Sequence, residues 1–81
     1  MSEADKYIYF EMIEQKPKTQ VWAVQTRTNP SERIGLVKWY GPWRHYCFFP
    51  EPDTIYSDRC MLRIGQFIEE LNQKHREGLK E

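Results

Sequence analysis

Ile34-Gly35-Leu36-Val37-Lys38-Trp39-Tyr40-Gly41-Pro42-Trp43-Arg44-His45-Tyr46-Cys47-Phe48-Phe49-Pro50 carries the strongest structural signal in the chain. Two runs of aliphatic and aromatic residues flank a Gly-Pro pair. That pattern reads as two antiparallel strands, residues 34–40 and 44–49, joined by a tight connection. Gly35 marks either a bulge or the close approach of another group. Between residues 38 and 50 alone there are six aromatics, with Lys38 and Arg44 among them. Strand pairing does not account for Trp43, because it falls in the turn.

Towards the N-terminus, residues 7–13 are rich in β-formers and put Ile8, Phe10 and Met12 on one face, as a strand does. Residues 15–19 form a turn in which Pro17 cannot join a ladder. Residues 21–27 read as a second strand, and the Asn29-Pro30 pair breaks pairing before the third. Three short connections in succession specify a meander. Beyond Pro50, Ser57 is an N-cap, and Tyr56 is placed to pack on Met61 as a staple. Residues 58–76 then gather Cys60, Met61, Ile64, Phe67, Ile68 and Leu71 on one side of a helix, with Gly78 as its stop. Gly65, costly by about 1 kcal/mol inside a helix, is expected to let that helix approach the sheet closely. The expected fold is α+β: a four-stranded antiparallel β-meander with one C-terminal α-helix packed on one face. It forms a single domain over 1–81, with 1–5 and 77–81 as frayed tails.

Eighty-one residues bound the chain to one domain, and a domain this small buries only about 60–65% of its extendable surface. Three Trp, five Tyr and four Phe supply the dense core it needs. No window reaches the ~18 apolar residues of a membrane span, and Met1-Ser2-Glu3-Ala4-Asp5 lacks the features of a signal peptide, so a cytoplasmic protein is expected. Net charge is zero but unevenly spread. Residues 1–15 carry one Lys against four acids, residues 16–46 six Lys/Arg against one acid, and residues 47–81 five against seven. A basic middle of this kind creates a local positive field on a neutral molecule.

One helix covers one face of a sheet, which leaves the other open. In the third strand Ile34, Leu36, Lys38 and Tyr40 share a face, opposite Val37 and Trp39. In the fourth, Arg44, Tyr46 and Phe48 oppose His45, Cys47 and Phe49. Both faces carry large side chains. The structural reading is that Trp22, Trp39 and the tyrosines cover the open face under Lys and Arg stems. The functional reading is a stacking surface with cationic neighbours, in which rings take unpaired bases and cations neutralise phosphates. Its residues are Lys38, Trp39, Trp43, Arg44, Tyr46, Arg27 and Arg33, with Lys16 and Lys18 adding charge. The rival use of Trp43 and Arg44 is as anchors on a host protein. An exposed edge strand is also a route to a homodimer.

Other chemistry finds less support. His45 with Cys47, then Cys60 and His75, match no usual zinc spacing, and both cysteines sit in apolar periodic segments as core residues do. No nucleophile elbow, phosphate-cradling Gly-rich loop or apolar-flanked carboxylate pair is present. No catalytic activity, metal or cofactor is expected.

The segment 34–71 resembles small uncharacterised proteins of bacteria and their phages. The likeness rests on Lys38-Trp39-Tyr40, on Trp43-Arg44-His45-Tyr46-Cys47-Phe48-Phe49-Pro50 and on Phe67-Ile68-Glu69-Glu70-Leu71. It implies a phage or mobile-element origin and no particular activity. The layout of a small antiparallel sheet followed by a helix is also similar to the arm-binding domains of phage-type integrases, which lay their sheet in the DNA major groove. This chain departs from them in its fourth strand and its lack of net positive charge. The expectation is a non-enzymatic module that engages nucleic acid or, alternatively, a host protein.

Overall fold

The computed structural model describes residues 7–79. Four strands, β1 (Ile8–Gln15), β2 (Gln20–Thr26), β3 (Arg33–Tyr40) and β4 (His45–Pro50), form one antiparallel sheet in the order β1-β2-β3-β4. A single helix, α1 (Asp58–Leu79), follows. The meander with its C-terminal helix is therefore the architecture, and the helix runs past Arg76 through Gly78. Of the expected tails, 1–5 and 80–81 lie outside the described residues, while 77–79 are the last residues of α1.

The helix lies on the face that carries Ile8, Phe10, Trp22, Val24, Val37, Trp39, Tyr46 and Phe48. Phe67 stacks on Phe10 at 4.1 Å and meets Trp22 edge-on at 5.1 Å. Ile64 and Leu71 complete a buried cluster with Ile8, Val24, Ile34, Val37 and Tyr46. Ile34 belongs to this core rather than to the open face with Leu36. The β2–β3 register shifts between Val24 and Gln25, which pair with Gly35 and Arg33, so Ile34 is the extra residue of a bulge. A bulge breaks strict alternation, and here it turns Ile34 inward.

Gly35 is also a close approach. A Cβ there would run into the Phe48 ring, 2.6 Å from its Cζ, and would lie 2.9 Å from the Phe49 carbonyl oxygen. The Phe48 ring thus occupies the place of the missing side chain. Gly65 behaves otherwise: it is exposed, and a Cβ on it would meet nothing within 4 Å. It does not bring the helix closer to the sheet.

The start of α1 is held as expected, with the Cys60 amide donating to Ser57 Oγ at 3.1 Å. Tyr56 packs edge-on against Phe48 at 5.3 Å and donates its hydroxyl to the Ile34 carbonyl, while Met61 stays largely exposed. The outer edge of β4 is partly closed. Its odd residues face β3, as the bond from the Glu51 amide to the Ile34 carbonyl shows, so the Tyr46 and Phe48 amides point outward. Asn72 Oδ1 accepts the Tyr46 amide at 2.7 Å, and Pro50 has no amide to offer.

Candidate functional site

Antiparallel order brings alternate turns to the same end of a meander. The β1–β2 turn, residues 16–19, and the β3–β4 turn therefore share one end of the sheet, and the last turns of α1 arrive there too. Lys74 and His75 of α1 line a recess of about 210 Å³ with Lys18, Gln20 and Tyr46. Lys16, Lys18, Arg44, Lys74 and Arg76 are the cations of this end, with Glu14 and Glu77 the nearby carboxylates.

The β3–β4 connection is a 3₁₀ turn, Gly41–Trp43, with Pro42 in its first positions. Arg44 closes it in the left-handed region, at φ 55° and ψ 41°, with its amide bonded to the Tyr40 and Gly41 carbonyls. Arg44 thus belongs to the turn, and β4 begins at His45. This geometry lifts Trp43 out of the fold, 65% exposed. Its ring meets Tyr40 edge-on at 5.2 Å and lies 6.1 Å from His45. Tyr40 in turn meets Phe49 at 6.0 Å, and Lys38 Nζ lies 4.7 Å from the Phe49 ring centre. Tyr40, Trp43, Cys47 and Phe49 line a shallow recess of about 250 Å³. An aromatic strip with cationic flanks thus runs from the turn onto the open face.

The residues singled out in the sequence do not all meet here. Lys38, Trp43 and Arg44 do. Trp39 lies on the helix side, edge-on to Tyr46 at 5.6 Å and 4.4 Å from His75. Tyr46 is only 4% exposed, and its hydroxyl accepts the Gln20 amide at 3.0 Å. It holds the core and presents no ring to a ligand. Trp22, too, faces the helix, so the open face is covered by Tyr9, Leu36, Tyr40 and Phe49 instead. Arg27 and Arg33 lie at the opposite end of the sheet, where Arg27 is 5.2 Å from the Tyr9 ring.

Tyr40, Phe49, Lys74 and His75 join the site without having been singled out. The meander order would have found Lys74 and His75, since a helix returning along β4 must end beside its start. Burial pushes the Cys47 thiol above its ordinary pKa. Among the described residues no three His, Cys, Asp or Glu side chains cluster as metal ligands, and no helix is long and apolar enough to cross a membrane.

No protein-family model matches the chain. Among curated proteins it is similar to an uncharacterized 9.3 kDa protein of Acholeplasma phage L2, 27% identical over 44 residues. The match covers 54% of this chain and 56% of the phage protein, so the chain spans about half the length of the relative it matches. No solved structure matches.

Proposed function

We propose that this chain is a non-enzymatic binding module of phage or mobile-element origin that engages single-stranded nucleic acid at the turn end of its sheet. Trp43 carries the reading. A tryptophan that a 3₁₀ turn holds 65% exposed, beside a second ring and next in sequence to Arg44, is arranged as a stacking platform. Tyr40 and Phe49 extend the platform onto the open face. Arg44, Lys38, Lys18 and Lys74 neutralise phosphates along it, and Trp39 and Tyr46 support it from beneath. The similarity to a phage protein supports the origin.

Anisotropy of a labelled single-stranded oligonucleotide tests this. Trp43→Ala should weaken binding about tenfold or more, since one stacked base contributes roughly 1–3 kcal/mol. Arg44→Glu and Lys74→Glu should weaken it further at low salt, whereas Arg27→Glu, at the far end, should change it little. Binding that ignores Trp43→Ala, Arg44→Glu and Lys74→Glu refutes the site. A protein-anchoring role for Trp43 is the second reading, favoured by the same exposure. It predicts no salt-sensitive oligonucleotide binding at all.

A further inference from the structure

The recess at the end of α1 is lined by hydrogen-bond donors. Its inner part, about 210 Å³, opens between the β1–β2 turn and the helix, and an outer part continues past Lys18, Lys74, His75 and Gly78. Glu14, Glu70 and Glu77 are near in sequence, yet no carboxylate lines either part. Gln15 and Gln20 line the inner part with their carbonyl oxygens already engaged. Gln15 Oε1 accepts Gln20 Nε2, and Gln20 Oε1 accepts the Trp22 indole N–H, both at 3.0 Å. Tyr46 also lines it, only 4% exposed. Its hydroxyl oxygen accepts the Gln20 amide, but among the described residues nothing accepts the hydroxyl proton. A buried donor of this kind needs an acceptor, and the recess is the space from which one can come.

The cations point the same way. Among the described residues neither Lys18 nor Lys74 has an ion-pair or hydrogen-bond partner. The negative end of a helix attracts cations, which would account for Lys74 and Arg76. It accounts neither for Lys18, on the facing turn, nor for the Tyr46 hydroxyl. We infer that the recess takes a terminal phosphate monoester of the bound strand, a placement that rests on the nucleic-acid reading above and fixes where the strand ends. A monoester brings about −1.5 to −2 charge at pH 7 and three acceptor oxygens. It can meet both ammonium groups, the His75 ring N–H and the buried hydroxyl together. An internal phosphodiester has a single charge and a sugar on either side, which hold it at the mouth, away from Tyr46.

Competition anisotropy with single strands of one sequence, ending in a 5′-phosphate, in a 3′-phosphate or in hydroxyls alone, tests this. One phosphorylated end should bind about tenfold tighter than the hydroxyl-ended strand, and which end it is gives the strand's polarity on the sheet. Lys18→Gln and Lys74→Gln, both on the surface, should remove most of that preference. Tyr46→Phe, with an unchanged circular dichroism spectrum, should reduce it. Trp43→Ala should weaken all three strands alike and keep the preference. Equal affinity for the three strands, with Trp43 still required, overturns the inference and leaves the nucleic-acid reading standing; no binding of any strand overturns both. A preference that survives Lys18→Gln and Lys74→Gln overturns the inference by placing the phosphate elsewhere. Inorganic phosphate that binds as tightly as the phosphorylated strand does so too, because the recess would then serve the free ion.

Discussion

An alanine at position 35 would have to take space that the Phe48 ring and the Phe49 carbonyl already occupy. Backbone cannot yield there without disturbing β3–β4 pairing, so Gly35→Ala should cost about 1–3 kcal/mol in urea denaturation. An unchanged midpoint would mean that Phe48 turns aside freely. Cys47 gives a second readout at this scale. Burial raises its thiol pKa, so its contribution to stability is complete below the ordinary thiol range and fades as pH rises through the folded value. In a Cys60→Ser background, alkylation at neutral pH should therefore be slower in the folded protein than in urea; equal rates would contradict this. Gly35 was legible in the sequence as a bulge or a close approach; it is the close approach, and the bulge falls beside it at Ile34. The buried role of Tyr46 was not legible. Alternation fixes which residues share a face, but not which of two aromatic faces the helix covers.

Among the elements, α1 shows most plainly what periodicity can and cannot supply. Its existence, its core side and its Ser57 cap follow from spacing and capping chemistry. Ser57→Ala should accordingly lower stability by about 1 kcal/mol, measured by thermal or chemical denaturation. The close approach expected at Gly65 did not follow, since the residue faces open space. A 3.6-residue repeat aligns Ile64, Phe67, Ile68 and Leu71 but carries no information on what lies beyond the next side chain over. Strand order was readable because each connection is short. The bulge at Ile34 was not, since a single added residue reverses the parity on which face assignment depends. Arg44 fell outside β4 for a related reason. Closing a turn after Gly41–Trp43 demands a left-handed residue, and the sequence offers no glycine or asparagine there to announce it.

At the scale of the whole molecule, neutrality conceals polarity. Of the six Lys/Arg of residues 16–46, Arg27 and Arg33 go to one end of the meander, Lys16, Lys18 and Arg44 to the other, and Lys38 lies within β3. Lys74 and Arg76, from a segment that is acidic in sum, strengthen the turn end. Topology therefore reassembles the positive field from pieces far apart in the chain, which linear charge counting cannot foresee. If this end contacts phosphates, the log–log salt slope for a single strand should lose about 0.7 for each of Lys18, Arg44 and Lys74 neutralised. The most direct measurement is an ¹⁵N-resolved chemical-shift titration of the protein with a single-stranded oligonucleotide. Saturable shifts are expected for the Trp43 indole and for the amides of Arg44, Lys18, Lys74 and His75, with the Tyr9–Arg27 end and residues 61–65 of α1 left still. Shifts confined to that far end or to those helix residues, or none at low salt, would contradict this.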